Sequence, residues 1–306
     1  MIRQLFRRLV ALIPVALGVA TLTFALIHLV PGDPVSAMLG DYAAPADVAR
    51  MRHDLKLDLP LWKQYVVFLS GLAHGDLGQS ISQHEPVARL IRERYPATLE
   101  LAGAGLLVAI LVAFPLGMIA GADAGGPGDL AAMGFAILGI SIPHLYLGPL
   151  LMIVFSLDLG WLPLTGRGGF AHLVLPAVTL GTALAAIVAR MLRQSLVQVI
   201  GADYMRTARG KGLSESAALL RHGLRNALTP VITLLGLEAG ALLTGSIVIE
   251  MIFSWPGLGR LLITAINNRD YPLVEGCVLT FALSYVVVNM LTDFVYSAVD
   301  PRIRLG

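Results

Sequence analysis

The chain has 306 residues, of which 56% are hydrophobic and 14% charged, with a formal net charge of +2. A soluble domain carries about 25% charged residues, so the composition excludes an ordinary soluble enzyme and predicts an all-α polytopic membrane protein. The small net charge, with no Lys/Arg run interleaved with aromatics, excludes a nucleic-acid partner.

Taken in chain order, six apolar runs approach or exceed the roughly 20 residues that a bilayer crossing requires. They cover residues 9–30, 98–120, 130–155, 172–192, 228–253 and 273–299. The first follows Arg3, Arg7 and Arg8 and is read as a retained span. It is longer than the about 7–15 residues of a signal-peptide core, and Pro-Gly-Asp-Pro rather than a small-residue cleavage site follows it. Pro14, Pro115, Pro143, Pro149, Pro176 and Pro230 fall in these runs, where neighbouring helices can satisfy freed carbonyls. Cys277, the single cysteine, lies in an apolar run and is read as a buried, inert thiol.

Between the first two runs, residues 31–97 form one extended segment outside the membrane. Trp62, Tyr65, Val66, Leu69 and Leu72 recur there with helical spacing, and Val87, Leu90 and Ile91 form a second short stripe beside Arg89, Arg92, Glu93 and Arg94. Both stripes suit either a membrane surface or a small cap packed on the spans, and packing is the plainer account.

Lys and Arg near span ends set orientation. An inside N-terminus places Arg3, Arg7, Arg8, Arg190, Arg193, the basic 194–226 loop, Arg302 and Arg304 in the cytoplasm. The short external loops then hold only Arg167, Arg260 and Arg269. Both termini, including the 300–306 tail, are therefore expected to be cytoplasmic.

The 194–226 loop is the most informative segment. It carries Arg206, Arg209, Lys211, Arg221 and Arg225 and is divided by Gly210 and Gly212. Asp203 suits a cap for one short helix, Gly212 the left-handed residue that ends it, and Ser214 the cap of a second. Glu215 in the second helix's first turn complements its dipole. The expected product is a rigid helix–turn–helix knob, although the charges alone are equally explained by orientation.

Several chemistries are missing. Met205 stands where a phosphate-cradling loop needs its first Gly, and Gly212 follows Gly210-Lys211 in place of Ser/Thr. His84-Glu85 runs into Pro86-Val87, not a zinc-protease motif. His28, His144 and His172 lie on different runs and do not form a metal site by spacing. Among ionisable residues inside the spans, Glu238, beside Gly236, Gly240 and Gly245, leads as a candidate for a translocation path, and His144 follows. The glycines equally suit close helix packing. Glu250, Glu100 and Asp293 lie nearer span ends and read as interface anchors or caps.

The 203–228 stretch, DYMRTARGKGLSESAALLRHGLRNAL, resembles the cytoplasmic loop of bacterial ABC importer permeases of the dipeptide, oligopeptide and nickel family. Against that loop's general Glu-Ala-Ala-x3-Gly pattern, Arg206-Thr207-Ala208 stand at Glu-Ala-Ala and Gly212 at Gly. Only Ala208 and Gly212 match, and Leu224-Arg225 replaces Leu-Pro, as is typical of the peptide/nickel branch. HLVPGDP (28–34), ERYPATLELA (93–102), GWLPLTG (160–166), FSWPGLGRLL (253–262), NRDYP (268–272) and DPRIR (300–304) extend the resemblance over nearly the whole chain.

The resemblance implies a pore-forming type I permease subunit in the bacterial inner membrane. It is expected to pair with a second homologous permease, two cytoplasmic ATPases that use ATP and Mg, and an extracytoplasmic solute-binding protein. It assigns docking to Arg206, Thr207, Ala208, Arg209, Gly212 and Leu213, no catalytic residue and no cofactor to this chain, and peptides as the solute, with nickel or another small solute as the alternative. An ion-coupled secondary transporter, an intramembrane enzyme and a receptor subunit rank behind it, in that order.

Overall fold

The computed structural model describes residues 13–25, 35, 44–54 and 57–299. The basic N-terminus, the ends of the first apolar run, the Pro-Gly-Asp-Pro stretch at 31–34 and the 300–306 tail lie outside the described residues. Helices in chain order are α1 (Ile13–Ala25), α2 (Pro45–Asp54), α3 (Leu61–Ala73), α4 (Val87–Ala122), α5 (Pro127–Ser141) and α6 (His144–Leu151). They continue with α7 (Phe170–Ile200), α8 (Asp203–Gly210), α9 (Glu215–Ala218), α10 (Leu224–Ile252), α11 (Leu258–Asn267) and α12 (Tyr271–Val299). Wide π turns extend α6 through Met152–Asp158 and join α9 to α10 through Leu219–Gly223. The chain divides into two compact units, Met1–Thr98 with Pro256–Val286, and Leu99–Trp255 with Val287–Gly306.

Among the described residues, four helices are long and apolar enough to cross a membrane: Val87–Ala122, Phe170–Ile200, Leu219–Ile252 and Tyr271–Thr292. The 130–155 run is not the single straight span that its hydropathy predicts. It breaks between α5 and α6, with a bend of 101°. Ile142 is extended because the ring of Pro143 disfavours a helical residue before it, and Pro143 then becomes the N-cap of α6. Pro149, Pro176 and Pro230 remain inside helices, as expected. The stripe at Val87, Leu90 and Ile91 forms the first turns of α4, which begins at Val87 and runs unbroken for 36 residues.

In the larger unit α7 is the central helix. Its interface with α4 depends on small residues every fourth position: Gly105, Ala109, Ala113, Gly117 and Gly121. A Cβ at Gly117 would stand 2.8 Å from the Leu192 Cβ and 2.9 Å from the Ala189 carbonyl. One at Gly121 would stand 2.7 Å from the Leu196 Cβ, and one at Gly181 would stand 2.5 Å from the Gly105 carbonyl. Without a hydrophobic drive between helices in lipid, such close backbone approach is what van der Waals association requires. On another side Gly139 of α5 meets Thr182 of α7, and Asp129 at the start of α5 forms a bidentate ion pair with Arg193 near the end of α7.

The other unit is organised by Asp270. Its carboxylate is fully buried and accepts from the Ser80 and Ser82 hydroxyls and from the backbone N–H groups of Ile81, Ser82 and Leu273. The turn at residues 80–86 is thereby held against the start of α12. Gly276 of α12 packs on Val87 and Ile91, and the Tyr95 hydroxyl lies 2.7 Å from the Ser284 hydroxyl. Helix α3 forms as its stripe predicts, and Tyr65 meets Phe24 and the Thr21 hydroxyl of α1. No residue of α3 is buried, however, and Trp62 stays 65% exposed, so packing accounts for only part of that stripe.

Two substitutions test these contacts. Gly117→Val should lower the unfolding temperature of the purified protein markedly, by about 1–3 kcal/mol of overpacking. Gly103→Val, where a Cβ meets nothing within 4 Å, should leave it nearly unchanged. Asp270→Asn presents amide hydrogens to backbone and hydroxyl donors and should destabilise the fold by about 3 kcal/mol or more. Thermal melts in detergent that show wild-type stability for Asp270→Asn would contradict the role given to that carboxylate.

Candidate functional site

Helix α7 has 31 residues, which at a rise of about 1.5 Å per residue gives roughly 46 Å. The hydrocarbon core is about 30 Å thick, so about three turns project beyond it. The first part of the 194–226 segment is therefore a continuation of α7 rather than a loop. The chain turns at Gly201-Ala202 and enters α8. Asp203 is not the cap expected of it: Ala202 occupies the N-cap position without a side-chain bond, and Asp203 sits one place later, inside the first turn. Its charge still complements the helix N-terminus from there.

The end of α8 is built as the spacing predicts. Gly212 has φ +87°. Its N–H donates to the Arg209 carbonyl and the Leu213 N–H reaches the Ala208 carbonyl, the paired closure that requires a left-handed residue after the helix. Ser214 caps α9, its hydroxyl accepting from the Ala217 N–H at 3.3 Å. From α9 the backbone passes through the π turn into α10 without a break. The knob thus joins one membrane helix by a two-residue turn and the next by continuous helix.

The knob also has a core of its own. Met205, Ala208 and Ala218 are buried together, with Val199 and Leu213 packed against them. Arg209 folds back along α7 at the surface: its guanidinium donates to the Ile200 carbonyl at 2.8 Å and lies 3.7 Å from the Glu215 carboxylate. That places a cation on the last carbonyls of α7, where the helix dipole favours it.

The six residues assigned to docking therefore fall into separate groups. Arg206 and Thr207 are exposed, with Arg206 3.7 Å from Asp203 and the Thr207 hydroxyl bonded to the Asp203 carbonyl. Gly212 makes the turn. Ala208 and Leu213 form the interior, and Arg209 braces α8 against α7. The open face of α8 runs through Asp203, Arg206, Thr207 and Gly210, with Tyr204 and Lys211 beside it. The i, i+3, i+4, i+7 spacing of that face, opposite Met205 and Ala208, was present in the sequence and is the signal that adds Gly210 to it.

The candidate path residues are not brought together by any contact. Glu238 is half-buried on α10 and has no hydrogen bond or ion pair among the described residues. Neighbouring Gly236 packs so closely on Thr292 that a Cβ would overlap it, and the Thr292 hydroxyl donates to the Gly236 carbonyl. That glycine serves packing. His144 opens α6 at the bend, with its Nδ1 buried and unbonded among the described residues. Glu100 pairs with Arg167 at 2.5 Å, and Arg167 also lies over the Trp255 ring. Glu250 is fully buried, with Ser246 donating to it at 3.3 Å, so it is an interior group rather than an interface anchor. The side chain of Asp293 lies outside the described residues.

Comparison with known proteins agrees with this architecture. The family described as binding-protein-dependent transport system inner membrane component matches residues 113–305, and its N-terminal companion matches residues 1–102. The glutathione transport system permease protein GsiC of Pectobacterium atrosepticum is 44% identical over 304 residues, covering 99% of both chains. GsiC of Escherichia coli K12 is 42% identical over the same length. Among solved structures, an amino acid ABC transporter with histidines aligns over 71% of this chain and 95% of its own, at 18% identity and a TM-score of 0.53. The MetNI methionine ABC transporter, in inward-facing conformations, aligns over 70% and 97%, at 16% identity and a TM-score of 0.56. With family matches over nearly its full length and relatives above 40% identity from end to end, this chain belongs to the inner-membrane components of binding-protein-dependent transport systems, as a multi-pass permease subunit of an ABC importer and not itself an enzyme.

Proposed function

We propose that this permease forms the pore of a peptide importer and receives the work of ATP hydrolysis through the α8–α9 knob. The observation that carries this reading is the knob's construction. It has its own buried core, a left-handed glycine closing α8, an arginine bracing α8 on α7, and unbroken helix into α10. A loop that only set orientation would need none of these. A rigid element welded to two membrane helices transmits a displacement to both.

In this reading the chain has six spans with both termini in the cytoplasm. A second homologous permease completes the pore, two ATPase subunits use ATP and Mg beneath it, and a solute-binding protein delivers peptide from outside. The open face of α8, through Arg206, Thr207 and Gly210, enters the ATPase groove. Ala208, Arg209, Gly212 and Leu213 act by holding that face in place. Glu238 and His144 stand as path candidates because both carry polar atoms that nothing among the described residues satisfies. Peptides are the solute class because the relatives nearly half identical to this chain are named for transport of glutathione, a tripeptide.

Gly212→Val forces a β-branched residue into a left-handed backbone, at a cost of about 1–3 kcal/mol. The variant should insert into the membrane normally yet lose at least about tenfold in solute uptake and in solute-stimulated ATP hydrolysis by the assembled importer. Gly210→Ala, at an open position where a Cβ meets nothing within 4 Å, should insert equally well. Normal uptake by Gly212→Val would refute coupling through this turn.

Uptake by cells lacking this chain tests the solute class. Labelled di- and tripeptides should no longer accumulate, while nickel accumulation is unchanged. Loss of nickel uptake with peptide uptake intact would replace the peptide reading.

A further inference from the structure

Helix α3 has no interior. None of its 13 residues is buried, and Leu61, Trp62, Val66 and Val67 stand exposed. Lys63 is its only charged residue. The Gln64 amide, instead of facing water, donates to the Leu57 and Leu59 carbonyls at 3.4 and 2.8 Å. A helix apolar on nearly every side is unstable in water and needs an apolar medium around it.

The opposite face packs on α1, within the same compact unit. The Phe24 ring lies 5.3 Å from that of Tyr65 and 5.9 Å from that of Phe68, and the Tyr65 and Thr21 hydroxyls are 2.6 Å apart. Helix α1 is itself apolar and leaves Ile13, Leu17 and Leu22 exposed. A protein interface closes its apolar centre with a polar rim. Here the apolar surface of α3 runs on into that of α1, which favours lipid.

Length and the chain at each end decide how the helix sits. Thirteen residues at a rise of about 1.5 Å make roughly 20 Å, too short for a hydrocarbon core of about 30 Å. Both ends are polar. Asp58, before α3, is exposed and pairs with His53 at 2.8 Å, and His74 and Asp76, after it, are exposed. Two wet ends and an apolar middle require the axis to run along the membrane surface rather than into it. In the first turn the Lys63 ammonium lies 5.4 Å from the Trp62 ring centre. An amphipathic ring beside a snorkelling cation suits the headgroup level.

We propose that α3 is an in-plane membrane helix, seated in the outer leaflet with Leu61, Trp62, Val66 and Val67 against phospholipid chains and Lys63 among the headgroups. It tethers the extracytoplasmic segment to the bilayer beside α1. The inference rests on the six-span reading, with the N-terminus in the cytoplasm, and is independent of the solute.

The test uses the complete importer in vesicles of palmitoyloleoylphosphatidylcholine. Trp62 or Val66 of α3, Leu22 of α1, or Arg50 of the polar α2 is replaced by the photoreactive residue p-benzoylphenylalanine. All four side chains are exposed, so each variant should still assemble with the ATPases, as copurification will show. After irradiation, mass spectrometry identifies what each position has captured. Phospholipid adducts should form at positions 62, 66 and 22 and be absent at 50. Because apolar insertion carries the contact, high salt should not reduce them.

Phospholipid at 22 but not at 62 and 66, or capture of the solute-binding protein or the second permease by the α3 positions, overturns the in-plane helix and leaves the six-span reading standing. Equal capture of phospholipid at 50, or its loss in high salt, overturns the in-plane helix as well. No phospholipid at 22, 62 or 66 removes both readings.

Discussion

The close approach of α4 to α7 is the constraint on which the larger unit depends. Leu180, Leu184, Val188, Leu192 and Leu196 are buried along α7 at four-residue intervals, facing a stripe of small residues with the same interval on α4. Equal intervals keep large side chains opposite small ones over about four turns. In lipid this matters more than in water, since apolar burial gives no net drive to associate and only contact quality remains. Because α4 occupies one side of α7 and α5 and α10 others, a change in the position of α7 has to be shared by all three.

That constraint gives the knob its mechanical meaning. Helix α7 continues beyond the hydrocarbon core and ends where Arg209 takes hold of the Ile200 carbonyl. Helix α10 begins, through the π turn, inside the same knob. On the proposed coupling, a force on the open face of α8 would enter two helices that pack against each other along their length. Ala208 and Leu213 contribute to the small core that holds α8 in place within the knob. In the proposed coupling, docking and stiffness are separate tasks, carried by different faces of one short helix.

What the sequence revealed follows from the range of each interaction. Long apolar runs, Gly212 as a left-handed stop and Ser214 as a cap are local, fixed within a few residues, and were legible. The Asp129–Arg193 pair, the Glu100–Arg167 pair and the five donors on Asp270 join residues far apart along the chain, and no spacing rule reports them. The break at Pro143 was misjudged because hydropathy measures polarity and not backbone geometry. Pro143 and Pro176 look alike in an apolar run, but only the packing around each decides whether the helix continues. The bond from Arg209 to the Ile200 carbonyl was not legible, because a basic residue in a loop gives no sign of an acceptor nine residues earlier.

The buried and half-buried polar groups of the helices separate into two classes. Asp129, Asp270 and Glu250 are each buried and each bonded within the chain. Burial of a charge is tolerable when opposite charge or several donors meet it, so these groups are finished parts of the fold. Glu238 and the Nδ1 atoms of His144 and His172 have no such partner among the described residues. Groups of the first kind brace the subunit whether or not it is assembled. Groups of the second kind cost least when something beyond the chain supplies the missing bond.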